Sequence, residues 1–111
     1  MDIDSFHAEL VTALNESGLF NQVDIDIEEF VLHGRAHLDT QKFLQVHFNS
    51  QADTTSFSLI DQKKRTWGID NDHRRGWHRH PIENPDDHIT VEPLTVSQII
   101  KELVEVLSSR P

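Results

Sequence analysis

Val31-Leu32-His33-Gly34-Arg35-Ala36-His37-Leu38, the break Asp39-Thr40-Gln41, and Phe43-Leu44-Gln45-Val46-His47-Phe48-Asn49 together decide the fold. Apolar and polar residues alternate on both sides of the break, which is the period of strands with one face buried and one in water. Asp-Thr-Gln is good turn chemistry, so the two runs predict a hairpin. Requiring apolar side chains to meet sets its register: Leu32 opposite Phe48, Gly34 opposite Val46, Ala36 opposite Leu44. Register fixes both faces at once, so the other face gathers His33 beside His47, Arg35 beside Gln45, and His37 beside Phe43. Three histidines and an arginine then share one surface, which is either the floor of a site or the ordinary wet face of an antiparallel sheet.

Working outward, Val23, Ile25 and Ile27 alternate with Asp24, Asp26 and Glu28, and further strands are expected at residues 54–60 and 65–70 and, briefly, at 89–92. Phe6, Leu10, Ala13 and Leu14 recur at helical spacing, with Asp4 or Ser5 as the expected cap and Gly18 as the stop. Thr95 and Gln98 stand at capping-box spacing ahead of the stripe Val96, Ile99, Ile100, Leu103, Val104 and Leu107. The expectation is one α+β domain over residues 1–111: an N-terminal helix, an antiparallel β-meander of about five strands, and a C-terminal helix packed on one face of the sheet. Periodicity vanishes between residues 71 and 87, where Gly76, Pro81 and Pro85 mix with His, Arg and Asp, and this predicts a long irregular loop of functional character.

Composition narrows the function classes. Without cysteine there are neither disulfides nor thiolate metal sites. The acidic start and the lack of an apolar run near the ~20 residues of a membrane span predict a cytoplasmic protein with no membrane contact. A net charge of −9 argues against indiscriminate nucleic-acid coating. That charge is unevenly spread, since residues 1–29 hold eight acids and no Lys or Arg, whereas Lys63, Lys64, Arg65, Arg74, Arg75 and Arg79 cluster in one short stretch. One cationic patch on an acidic body suits a single anionic partner docking in one place; a solvated basic loop is the plain alternative.

Chemistry concentrates in Trp67-Gly68-Ile69-Asp70-Asn71-Asp72-His73-Arg74-Arg75-Gly76-Trp77-His78-Arg79-His80-Pro81 and the following Asn84, Pro85 and His88. Histidine titrates near neutrality and arginine grips phosphate bidentately, so these side chains suffice for RNA cleavage with no metal or other cofactor. His78, His80 and Arg79 are the catalytic candidates, with Asp70 as the orienting carboxylate. Arg35, His37, His47, Asn71, Arg74, Arg75 and His88 are candidates for holding the substrate. Two other readings stay open. His78 and His80, at alternate positions of an extended segment, can join His73 or His88 around zinc or nickel, although no HExxH-type signature is present. The segment can also be a structural clasp of a noncatalytic protein-binding module, with both tryptophans packed on the sheet and buried, hydrogen-bonded imidazoles.

The runs Ser56-Phe57-Ser58-Leu59-Ile60, Arg65-Thr66-Trp67-Gly68-Ile69-Asp70-Asn71 and Trp77-His78-Arg79-His80-Pro81, with Asn84-Pro85 and His88, resemble the TumE-like toxin family of toxin-antitoxin pairs. An aromatic residue shortly before Asp-Asn, a His- and Pro-rich loop ending in another His, and a C-terminal helix carry the likeness over roughly residues 24–107. The resemblance implies a small toxin made alongside a cognate antitoxin that is often a DNA-binding protein, and action on RNA or translation. Asp70, Asn71, His78, His80 and His88 are the matching motif positions. Two features depart from the family pattern: arginines are interleaved with the histidines, and the chain is strongly acidic. The acidic first quarter suits a basic antitoxin, and exposed strand edges suggest a homodimer.

Overall fold

A computed structural model describes residues 1–109. The elements are α1 (Ile3–Ser17), β1 (Gln22–Glu28), β2 (Val31–His37), β3 (Lys42–Asn49), β4 (Thr54–Asp61), β5 (Lys64–Asp72), β6 (Gly76–His80), β7 (Ile89–Thr90) and α2 (Val96–Ser108). All seven strands form one antiparallel meander in sequence order. The α+β architecture is the expected one, with seven strands where about five were expected. Short, polar connections leave each strand no partner nearer than the next one, which is why the order is sequential.

The hairpin that decides the fold adopts the predicted register: Leu32 pairs with Phe48, Gly34 with Val46, Ala36 with Leu44, and His33 with His47. Leu32, Ala36, Leu44, Val46, Phe48, Phe57, Leu59, Trp67 and Ile69 are buried together with Phe6, Leu10 and Leu14 of α1 and Ile99, Ile100 and Leu103 of α2. Both helices therefore cover one face of the sheet. Phe6 stacks on Phe48 with ring centroids 4.1 Å apart and tilts against Phe57 at 6.1 Å. The opposite face keeps its polar side chains. The helices stop short of β1, whose residues are almost all exposed, Val23 and Ile27 included.

The caps follow the sequence with one shift. Thr95 and Gln98 close the expected capping box on α2, with the Gln98 N–H donating to Thr95 Oγ1 and the Thr95 N–H to Gln98 Oε1. Gly18 ends α1 in the left-handed conformation, where a residue with a Cβ is strained. Asp2, rather than Asp4 or Ser5, caps the start, accepting from the Ser5 N–H at 2.8 Å. This leaves Asp4 inside the first turn, where its charge meets the positive end of the helix dipole.

The segment expected to be one irregular loop is mostly ordered as strand. β5 runs on to Asp72, a tight turn follows in which Asp72 Oδ1 accepts from the N–H groups of Arg74 and Arg75, and β6 returns from Gly76. Only residues 81–88 remain as loop. Gly-Trp-His-Arg-His has too few apolar residues to show a strand period, yet pairing along β5 from Gly68 to Asp72 supplies the hydrogen bonds that hold it extended.

Candidate functional site

One row of cross-strand neighbours traverses the polar face: Asp26, His33, His47, Ser56, Asp70, His78 and Thr90, each directly opposite the next. His80 lies on the same face one pair along β6, opposite Gly68. Alternation along β6 sends His78 and His80 to this face and Trp77 and Arg79 to the other.

Asp70 is the hub of the cluster. Its Oδ1 accepts from Ser56 Oγ at 2.8 Å and from a terminal guanidinium nitrogen of Arg65 at 2.8 Å. Its Oδ2 faces His80 Nε2 at 3.2 Å and His78 Nε2 at 3.6 Å. Burial pushes the Asp70 carboxyl upward, but the hydrogen bond and charge of Arg65, then Ser56 and His80, outweigh it and hold the group below its ordinary value. The far side of each imidazole is fixed as well. His78 Nδ1 lies 2.9 Å from the carbonyl of Gly76, and His80 Nδ1 lies 2.9 Å from that of Pro85. A carbonyl can only accept, so each Nδ1 carries a proton, and each Nε2 is turned to the Asp70 carboxylate, to which it donates when it too carries a proton.

His88 completes the group from the exposed loop before β7, with its ring centroid 4.6 Å from that of His80 and 5.6 Å from that of His78. Crowding of its solvent shell, followed by the charge of Arg75 and the neighbouring His80 and His78, lowers the pKa of His88 from the usual imidazole value. Arg74 and Arg75 stand exposed in the β5–β6 turn on this rim.

Asp70, His78, His80 and His88 thus meet, although they span nineteen sequence positions. Arg79 does not join them. It points to the helix side and forms a two-point ion pair with Glu102 of α2, its Nε donating at 2.8 Å, and this pairing raises its pKa. It clamps α2 to the sheet and is not a phosphate ligand, because one residue along a strand means the opposite face. Asn71 fails as a substrate contact for the same reason: it lines a small cleft with Phe6, Phe48, Phe57 and Trp77 under the helices. Arg35, His37 and His47 do lie on the polar face, some strands away. Arg35 covers the Phe43 ring at 4.9 Å, beside a cleft of about 570 Å³ that Ile60 and Lys63 also line. His37 Nε2 is 3.3 Å from Asp24. His47, held below the usual imidazole pKa by burial and by His33, sits 4.8 Å from the His33 ring.

Ser56 and Arg65 were not among the expected site residues. Plain alternation puts Arg65 on the helix side with Trp67 and Ile69, but a bulge leaves Thr66 without a partner and turns Arg65 onto the Asp70 face. The guanidinium then lies where a Cβ of Gly68 would be. Gly68→Ala is therefore expected to leave the fold intact while displacing Arg65 from Asp70. A melting temperature lowered by several degrees, with unchanged circular dichroism, checks this; an unaltered melting temperature refutes it.

No family model, curated protein or solved structure matches the chain.

Proposed function

We propose that the chain is the toxin of a toxin-antitoxin pair and cleaves RNA at the Asp70, His78, His80 and His88 cluster. The observation that carries this reading is the convergence of two oriented Nε2 atoms on one half-buried carboxylate oxygen, with a third, exposed imidazole and two exposed arginines at the rim. Arg74 and Arg75, exposed in the β5–β6 turn, would meet a phosphate arriving from solvent. Arg35 and Phe43 offer a cation and a ring to a strand laid along the polar face, where bases stack on aromatic side chains.

The roles differ from a free acid and base. Both ring nitrogens of His80 are engaged, and His78 has its Nδ1 bonded and its Nε2 turned to Asp70. These two imidazoles act through the point on which they converge, while His88 is the one open to solvent.

The partner reading rests on β1. Its edge is unpaired, Val23 and Ile27 are exposed, and Asp24, Asp26 and Glu28 line it. Those acids favour a basic antitoxin segment added as an eighth strand, and they oppose a second copy of β1 there, since like charges would face each other. Light scattering of the chain alone then gives 12.8 kDa, and twice that mass would return the edge to self-pairing.

Two variants test the toxin reading in cells. Expression of the wild-type chain should arrest growth in the cytoplasm, and His78→Ala with His80→Ala should relieve the arrest. Because those rings are buried, exposed His88→Gln is the companion variant that keeps the fold and is expected to relieve the arrest as well. Arrest undiminished in both variants rules the cluster out. A loss of thermal stability in the double variant, with no growth arrest even by the wild type, favours the noncatalytic clasp instead, a reading supported by the double engagement of His80.

A further inference from the structure

Nitrogen atoms of His78, His80 and His88 lie within 4.8 Å of one another on the polar face. Two of these imidazoles are already oriented as metal-binding imidazoles are, with Nδ1–H donated to a backbone carbonyl and Nε2 directed inward. Both Nε2 atoms face Asp70 Oδ2, at 3.2 and 3.6 Å. The positive charge that belongs between an imidazole nitrogen and a carboxylate oxygen is supplied either by a proton on Nε2 or by a metal ion that displaces it. These two distances suit a metal ion, since donors around a tetrahedral zinc with bonds of about 2.0–2.1 Å stand about 3.3–3.4 Å apart; the imidazole nitrogens, up to 4.8 Å apart, would draw together around it. Asp70 is prepared for the same role, because Ser56 and Arg65 bind its other oxygen and fix the plane of the carboxylate.

We propose that His78, His80 and His88, with Oδ2 of Asp70, bind one divalent transition-metal ion of the zinc or nickel class. An imidazole-rich set selects these ions over magnesium or calcium, which take oxygen shells. The register of β5 against β6 builds three of the four donors, since Asp70 is directly opposite His78 and His80 follows two residues on. His88 arrives from the exposed loop and leaves the ion's outer side toward solvent, next to Arg75. A metal-dependent reaction would then stand in place of the metal-free chemistry expected from the sequence.

The ion's role in cleavage rests on the ribonuclease reading, whereas its binding rests on the donor geometry alone. In that role the ion lowers the pKa of a bound 2′-hydroxyl, whose proton passes to solvent. The oxygen bonds to phosphorus, the bond from phosphorus to the 5′-oxygen breaks, and that oxygen takes a proton from water, leaving a cyclic phosphate and a free 5′-hydroxyl.

The full chain, stripped with a chelator and dialysed, is titrated with zinc and with cobalt(II) by calorimetry and visible absorption. The expected result is one ion per chain, with ligand-field bands of four-coordinate cobalt. A melting temperature about 10 °C higher is expected with free zinc at roughly a hundred times Kd. His88→Gln, altered at an exposed position, should bind at least about tenfold more weakly, and His73→Ala should bind as the wild type does. Failure of the wild type to bind either ion, or equal affinity in His88→Gln, overturns the site. RNA cleavage is read separately on the same samples. Stoichiometric metal without cleavage upholds the site and removes the ribonuclease reading, and cleavage at full rate in the stripped chain overturns the ion's part in catalysis.

Discussion

Asp70→Ala should cost the chain both its stability and its chemistry. The carboxylate is 14% exposed and its partner Arg65 29% exposed, so the change strands a largely buried guanidinium and removes the acceptor of Ser56. Breaking one side of a buried pair costs about 3–5 kcal/mol, and the residual exposure of Arg65 places this case at about 3 kcal/mol. In a domain of this length that lowers the melting temperature by roughly 12 °C or more. The pair itself is no great source of stability, because desolvating two charges offsets most of their attraction; it is the orphaned partner that costs. Any RNA cleavage should fall by about a thousandfold, in the range of losing an acid-base or metal-binding group. Asp70→Asn separates the two effects, since the amide keeps the shape and one acceptor but no charge. It should retain most of the stability and still lose the activity, as thermal melts and a cleavage assay on the same samples can show. A stable and fully active Asp70→Ala would remove Asp70 from the centre of the site.

Phe6→Ala has the largest effect expected from the hydrophobic core. The ring is 2% exposed, stacks face to face on Phe48, tilts against Phe57, and anchors α1 together with Leu10 and Leu14. Phe→Ala in a core costs about 3–5 kcal/mol, from lost transfer energy and the cavity left behind. Against a total stability of about 5–15 kcal/mol for a domain, that brings the chain near its unfolding threshold. The polar face is built by strand register and does not touch α1, so below the lowered melting point the Asp70 cluster should keep its geometry. A calorimetric melt roughly 15 °C lower, with metal or RNA affinity preserved at low temperature, is the expected pair of results. A shift of only a few degrees would mean that α1 is held by something other than this stack.

Legibility in the sequence followed the strength of the local period. The hairpin from Val31 to Asn49 could be read residue by residue because five apolar side chains and Gly34 had only one way to meet, and its polar face followed without further assumption. The common side of His78 and His80 followed from period two, and the same rule should have excluded Arg79, whose even spacing from Trp77 marks the helix face. Glu102, its partner, lies 23 residues away on another element and left no local trace. β6 was missed because its residues show no apolar alternation of their own and are held extended by β5. Arg65 was illegible for a different reason: the bulge at Thr66 reverses its side, and nothing in Lys-Arg-Thr-Trp-Gly announces a bulge apart from Gly68. The β4–β5 turn was placed correctly by its polar composition. Yet Gln62 and Lys63 both take positive φ with no glycine, a strain that pairing of the long strands around them overrides.

Cleavage of single-stranded RNA by the purified chain, measured beside the His78→Ala and His80→Ala double variant and the exposed His88→Gln variant, tests the account most directly. The prediction is a wild-type rate that drops about a hundredfold or more in both variants while His88→Gln melts as the wild type does. RNA left intact by the wild type, or cut equally fast by all three proteins, contradicts it.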